Sequence, residues 1–342
     1  MKSLLTKLAE HEPLDRSDAS RAMKLMLTGE ASPEEIAAFL VGLRSRGESA
    51  EELIGLTETM REFAVEVEAP EDAIDIVGTG GDRSGSFNIS TTTAFVCAGA
   101  GATVAKHGNR SVSSLCGSAD VLSRLGVKTE LGKEGVEYCL DRAGMAFIFA
   151  PYFHPALKHV MPVRRGLGIR TCFNILGPLC NPAGVTRQLV GAFSQEVASM
   201  MAVIFKALGA ESTICVHAHD GLDEISIAGP TTVYSSLDGS KGIAEEVISP
   251  ELFGLDSADH EAIKGGDAGT NAEILKSVLR GEEGPRRDIV ALNAAFALHC
   301  GGVADSVESG LAMAFSSIDD GGAMDALDRL ITTSQKAPAL LS

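Results

Sequence analysis

Three stretches of the chain concentrate residue types that can hold an anion. Gly78-Thr79-Gly80-Gly81-Asp82 follows the β-branched run Ala73-Ile74-Asp75-Ile76-Val77. A strand that ends in side-chain-free residues lets backbone N–H groups converge on phosphate oxygens. The dinucleotide fingerprint is excluded, because its third Gly would fall at Arg83, and no G-x-x-x-x-G-K-[ST] occurs. Ser86, Asn88, Ser90, Thr91, Thr92 and Thr93 then crowd the start of the next helical segment, where free N–H groups and the positive end of the helix add to the cradle. Lys106-His107-Gly108-Asn109-Arg110-Ser111-Val112-Ser113-Ser114 packs cations, a His, an amide and hydroxyls together and reads as an anion-binding loop. In Gly221-Leu222-Asp223-Glu224-Ile225-Ser226, the adjacent carboxylates at an expected loop-to-strand junction suit Mg²⁺, which takes one or two carboxylates plus substrate phosphate oxygens.

The elements expected to position these stretches divide into two groups. Residues 1–66 read as helices only. Ser32-Pro33-Glu34-Glu35 places a cap, a first-turn Pro and a Glu three residues after the cap ahead of Ile36, Phe39, Leu40 and Leu43 on one face. A further helix runs through Leu53, Ile54, Leu56, Met60 and Phe63, and the hinge is expected near Val65 to Pro70. Residues 67–342 alternate strand-like and helix-like segments: extended at 103–105, 145–150 and 213–216, helical at 94–100, 119–125 and 197–208, and helical again from Asn271 onward. Such alternation predicts an α/β sheet with crossover helices. The Gly-, Pro- and Arg-rich stretch 163–181 has no clear period and is expected to return toward the helical domain.

Composition narrows the partners. The formal charge is −17, and a field of that size repels nucleic acid and anionic membrane surfaces. Residues 101–170 nonetheless carry +5, against −22 for the rest of the chain, so a small anion can be held locally. The seven cysteines are scattered without a C-x-x-C pair, which predicts reduced, buried thiols rather than disulfides or a zinc ribbon. His217 and His219 share a strand face with no evident third ligand. The N-terminal apolar stretch is broken by Lys7 and Glu10 and no run reaches membrane-span length, so the expected location is the cytoplasm.

Taken as an ordered set, the motifs resemble the anthranilate phosphoribosyltransferase family over nearly the whole chain. The resemblance rests on the 75–82 run, Phe87-Asn88-Ile89-Ser90-Thr91, Lys106 to Ser114 with Gly117-Ser118-Ala119-Asp120, and Val163-Arg164-Arg165. It continues through Arg170-Thr171-Cys172-Phe173-Asn174-Ile175-Leu176-Gly177-Pro178-Leu179, Asn181-Pro182, Gly221 to Glu224, and Asn271-Ala272. It implies a small all-helical N-terminal domain joined to a larger α/β domain with a central sheet, of the nucleoside phosphorylase and phosphoribosyltransferase kind, usually as a homodimer. The implied reaction moves the phosphoribosyl group of 5-phosphoribosyl 1-pyrophosphate (PRPP) to the amine of anthranilate, in tryptophan biosynthesis. The resemblance assigns PRPP to Gly78, Gly81, Asp82, Ser86, Asn88, Ile89, Ser90, Thr91, Lys106 through Ser114, and Ser118. It assigns Mg²⁺ to Ser90, Asp223 and Glu224, and anthranilate to Gly78, Asn109 and Arg164. Lys106 and Arg164 are the implied catalytic pair, acting through charge and positioning with no general base. Ala218 and Thr270 depart from the family pattern and touch no assigned residue. Pyrimidine nucleoside phosphorylase, with a similar two-domain plan and a Lys-containing loop, is the alternative; it needs no metal pair.

Overall fold

The computed structural model describes residues 1–82, 84–110, 115–237 and 242–338. Four helices open the chain: α1 (Lys2–Ala9), α2 (Arg16–Leu27), α3 (Pro33–Arg46) and α4 (Ala50–Glu62). Their starts are written locally. Ser32 with Glu35, and Ser49 with Glu52, form reciprocal capping boxes, and Asp15 caps α2. Glu52 also accepts from the Leu14 backbone at 3.0 Å and pairs with Arg46, so one buried carboxylate fixes the angle between three helices.

The second part is built on a seven-stranded sheet in the order β3-β2-β1-β4-β5-β6-β7. Its strands are β1 (Ile74–Gly78), β2 (Val104–Gly108), β3 (Met145–Phe149), β4 (Arg187–Gly191), β5 (Ser212–Ala218), β6 (Thr231–Ser236) and β7 (Ala244–Ile248). The first five are parallel; on one edge β6 runs antiparallel to β5 and β7 antiparallel to β6. Helices α5 (Ile89–Gly99), α6 (Ser118–Leu125) and α7 (Lys133–Ala143) connect β1 to β2 and β2 to β3. The chain then crosses to the far side of β1 through α8 (Ala150–Phe153), α9 (Met161–Leu167) and α10 (Phe173–Leu179) before entering β4, and α11 (Gln195–Ala207) leads to β5. Four helices close the fold: α12 (Ala268–Leu279), α13 (Pro285–Cys300), α14 (Val307–Asp319) and α15 (Gly322–Lys336).

Strand order reverses between β1 and β4, whose last residues Gly78 and Gly191 are paired. In open α/β sheets the crevice at the carboxyl ends beside such a reversal is where ligands bind. The long β3-to-β4 connection is what forces the reversal, and Val160, Cys172, Phe173, Ile175, Leu176, Leu179 and Cys180 bury in one apolar core with the N-terminal helices and α11. Residues 163–181 are therefore largely two short helices rather than irregular chain. Their period is hidden because α9 ends after two turns at the left-handed Gly168.

Three further expectations are corrected. Lys106-His107-Gly108 is not loop but the buried second half of β2, paired in register with Phe147-Ile148-Phe149. Asp223 and Glu224 lie within the β5-to-β6 loop, well before β6 begins, rather than at a strand junction. Strands β4, β6 and β7 were not foreseen, since Arg187-Gln188, Thr231-Thr232 and Glu245-Glu246 dilute their apolar signal. All seven cysteines are buried and in no disulfide, and among the described residues no helix is long and apolar enough to cross a membrane.

Candidate active site

The sheet delivers two glycine-ended strands to one point, and the β5-to-β6 loop lies across them. A β-carbon on Gly191 would sit 1.6 Å from the Asp223 carbonyl oxygen, and one on Gly78 would sit 2.6 Å from Asp223 Oδ2. Both strands must therefore end in glycine for Asp223 to reach the turn after β1. Gly80 and Gly81 turn there with φ of +66° and +76°, and the Gly80 N–H donates to Asp223 Oδ2 at 2.7 Å. The loop is held from behind by Asn293, the polar break in the buried helix α13. Its side chain accepts from Ile225 N at 3.0 Å and donates to Ile225 O at 2.8 Å, copying a strand pairing directly beside Glu224.

Glu224 Oε1 accepts from Ser90 N at 3.1 Å, in the first turn of α5. Asn88, at the start of that helix, accepts from Asn271 Nδ2 at 2.9 Å, and Asn271 also accepts from Gly266 N at 2.7 Å. Beneath Ser90, Lys106 is 2% exposed. Its ammonium donates to Ile76 O and to Ser90 Oγ at 3.4 Å, and it faces the charges of Asp75 and Glu224. Burial lowers the Lys106 pKa, and those two carboxylates oppose the shift. Asp75 accepts from His107 N at 3.2 Å and Asn181 Nδ2 at 2.8 Å; burial pushes it up to about 6.

The carboxylates are crowded. Burial first, then the charges of Asp82 and Glu224, raise Asp223 well above the usual carboxylate range. Burial likewise raises Glu224, against the pull of Lys106. Asp82 Oδ1 accepts from Ser84 N at 3.2 Å, while Oδ2 is buried with no hydrogen-bond partner among the described residues. Such a cluster is held at a cost that a bound cation would relieve.

At the end of β2, a β-carbon on Gly108 would sit 2.5 Å from Ser118 Oγ, and Ser118 donates to the Asn109 carbonyl at 3.2 Å, so this turn closes onto the start of α6. The Arg110 guanidinium is taken up by Asp120 and Glu130. His107 is buried with Nδ1 bonded to Gly177 O at 3.2 Å, so its ring faces α10. Ile89 and Thr91 are buried in the first turn of α5, and Ser86 accepts from Ser84 Oγ at 3.1 Å. Ser111, Val112, Ser113 and Ser114 lie outside the described residues. Arg164, on α9, lies over the Phe173 ring at 4.8 Å, and its hydrogen bond is to Met161 Sδ at 3.5 Å. Among the described residues, no hydrogen bond or ion pair joins it to the β1–β2 cluster. His217 and His219 serve the scaffold, bonded to Ala192 O at 2.8 Å and Thr232 Oγ1 at 2.9 Å.

The structure thus gathers Gly78, Asp82, Ser90, Lys106, Asp223 and Glu224 into one cluster, with Asn88, Gly108, Asn109 and Ser118 on its flanks. Sequence reasoning missed Gly191, Asp75 and Asn293. A lone Asn inside Ala291-Leu292-Asn293-Ala294-Ala295-Phe296 was the available signal for the last of these.

The family profile described as "Glycosyl transferase family, a/b domain" matches residues 70–324, and that described as "Glycosyl transferase family, helical bundle domain" matches residues 2–64. A relative named anthranilate phosphoribosyltransferase from Salinibacter ruber is 54% identical over 98% of this chain and 99% of its own length. One of the same name from Rubrobacter xylanophilus is 48% identical over 98% of each. Among solved structures, the anthranilate phosphoribosyltransferase of Thermus thermophilus superposes with a TM-score of 0.91 at 40% identity, covering 97% of this chain and 99% of that one. That of Saccharomyces cerevisiae, in complex with PRPP and Mg, gives 0.89 at 29% identity, covering 98% and 97%.

Proposed function

Because the chain belongs to the anthranilate phosphoribosyltransferase family, we propose how its own residues carry out transfer of the phosphoribosyl group from PRPP to the amine of anthranilate. The observation that carries the reading is the seating of Asp223 and Glu224 on the glycine ends of β1 and β4, against the N-terminus of α5. Displacing pyrophosphate from C1 of the ribose passes through an oxocarbenium-like state, so the protein's tasks are to neutralise the leaving group and to hold the amine in line. The Gly78–Asp82 turn, the hydroxyls and N–H groups at the start of α5, and the end of β2 at Gly108 with Ser118 at the start of α6 cradle the donor's phosphates.

Mg²⁺ fits the carboxylate cluster. Its donors are hard oxygens, Asp82 Oδ2 has no donor among the described residues, and raised carboxylate pKa values record a site short of positive charge. Asp223, Glu224 and Ser90 would hold the ion. Two carboxylates and one hydroxyl leave the rest of the shell to water and the donor's phosphates, the usual Mg²⁺ arrangement. When bound, the ion supplies charge to the departing pyrophosphate. Lys106 lies at the floor of the cradle, its ammonium bonded to Ile76 O and Ser90 Oγ. It acts from beneath as the counter-charge to both Glu224 and Asp75.

Arg164 serves the acceptor. Its guanidinium rests on Phe173 with no carboxylate partner among the described residues, leaving its planar fork for the carboxylate of anthranilate. An aryl amine releases its proton readily once bonded to carbon, so no general base is needed. The metal-suited pair Asp223-Glu224 and the relatives' identity both weigh against pyrimidine nucleoside phosphorylase. The test is the decay of anthranilate fluorescence on mixing enzyme, Mg²⁺ and PRPP. Phosphate-dependent release of thymine from thymidine, with anthranilate untouched, would overturn the reading.

A further inference from the structure

Arg170 sits one short segment beyond Arg164, after α9 has been ended by Gly168, and it is exposed. Its guanidinium lies 4.6 Å over the ring of Phe193. Phe193 follows β4, and its N–H donates to Thr79 Oγ1 at 3.0 Å, so the aromatic platform is tied to the turn after β1. A β-carbon on Gly81 would meet Arg170 Cδ at 3.9 Å, the one atom within 4 Å of that position. Among the described residues Arg170 makes no ion pair or hydrogen bond, although the chain as a whole carries −17. A guanidinium resting over an aromatic ring without an ion pair keeps its N–H donors available. Its neighbour is the Gly80-Gly81 backbone, not the ring that carries Arg164.

We propose that Arg170 is a further positioning residue for the phosphoribosyl donor, a cation carried by the helix-side segment to the rim of the Gly78–Asp82 turn, where it closes on the donor's pyrophosphate oxygens. Arg164 and Arg170 then divide the two substrates between them. Each stands on its own phenylalanine, one facing a carboxylate and the other a phosphate. The helix-side segment thereby senses donor binding directly, through a contact that forms only when the pyrophosphate is present.

This inference rests on the phosphoribosyl-transfer reading, and the experiment separates the two. Arg170→Ala and Arg170→Lys are made in the full chain. Initial rates are followed with PRPP and anthranilate varied separately, and Mg²⁺ plus inorganic pyrophosphate is titrated by calorimetry. Arg170→Ala is expected to raise both the KM for PRPP and the Kd for pyrophosphate about tenfold, the scale of one charge-assisted hydrogen bond. The KM for anthranilate should move less than about twofold, and Arg170→Lys should recover part of the loss, since a charge without the planar fork binds phosphate less well. Unchanged pyrophosphate binding in Arg170→Ala, or equal changes in both KM values, would overturn the proposal. A wild-type protein that binds pyrophosphate but consumes no anthranilate would overturn the transfer reading and leave the Arg170 contact standing.

Discussion

Gly191 touches no substrate in the proposed mechanism, yet its replacement by alanine should disable the site. The added β-carbon would lie 1.6 Å from the Asp223 carbonyl oxygen, 2.4 Å from its carbonyl carbon and 3.3 Å from its Cα. Ordinary non-bonded separation is about 3.5 Å, so the Asp223 main chain must retreat by roughly 1.5–2 Å. It cannot do so freely, because the next residues are clamped by Asn293 and by the Glu224–Ser90 bond. A misplacement of about 1 Å at a catalytic group costs on the order of 10²-fold in rate, which is about 2.7 kcal/mol. Overpacking should lower stability by a further ~1–3 kcal/mol. The assay is kcat/KM from anthranilate fluorescence with a full Mg²⁺ titration, alongside a thermal melt. The expected outcome is a roughly hundredfold fall in kcat/KM, a raised apparent Mg²⁺ constant and a lowered Tm. Gly229→Ala, in the same loop with no atom within 4 Å of the new carbon, is the control and should stay near wild type. Wild-type rates and Mg²⁺ response in Gly191→Ala, or equal loss in Gly229→Ala, would refute the argument that this close approach sets the carboxylates.

Three other outcomes are expected. Arg164→Ala should raise the KM for anthranilate at least about tenfold while leaving that for PRPP nearly unchanged, the loss of a bidentate carboxylate contact; equal effects on both would remove Arg164 from the acceptor site. Asp223→Asn combined with Glu224→Gln should abolish the Mg²⁺ dependence of the rate, and an unaltered Mg²⁺ titration would refute the metal role. His154, buried against His107 with ring centroids 5.4 Å apart, is pushed down to about 4 by burial, from an ordinary value of 6.5. A depressed folded-state pKa gives stability that is present above the unfolded value and lost as pH falls. The stability of wild type relative to His154→Gln should therefore drop by about 2 kcal/mol between pH 7.5 and pH 5, measured by urea unfolding at each pH. A difference independent of pH would show that His154 is not held neutral.

How much of this was legible in advance varied with the range of the interactions. Capping at Ser32 needs only side chains three residues apart, and it is found as read; the same device at Ser49 with Glu52 was equally local. The turn after β1 was visible because Gly80 and Gly81 must adopt left-handed φ, a demand that local sequence states openly. Lys106 misled. A lysine and a histidine argue against a strand on local grounds, and only the Ile76 O acceptor and Asp75 charge on the neighbouring strand, for Lys106, and Gly177 O on α10, for the His107 ring, make them tolerable there. Gly191 and Asn293 gave little warning. Their roles exist only because a loop more than thirty residues from one and nearly seventy from the other passes between them.

Residue type and short spacing were enough to set out the chemical parts: a glycine-rich turn, a hydroxyl-rich helix start, a pair of adjacent carboxylates and a cationic window in an acidic chain. A charge of −17 likewise excludes polyanions without excluding one small pyrophosphate. The assignment of each part to an end came from the tertiary structure. It buried Lys106 beneath the carboxylates as their counter-charge, turned His107 toward α10, spent Arg110 on Asp120 and Glu130, and left Arg164 and Arg170 on aromatic platforms with no carboxylate partner among the described residues. A charge's role is set by its desolvation and its partners. In this fold both come from strands and loops distant in sequence, joined where the sheet reverses order.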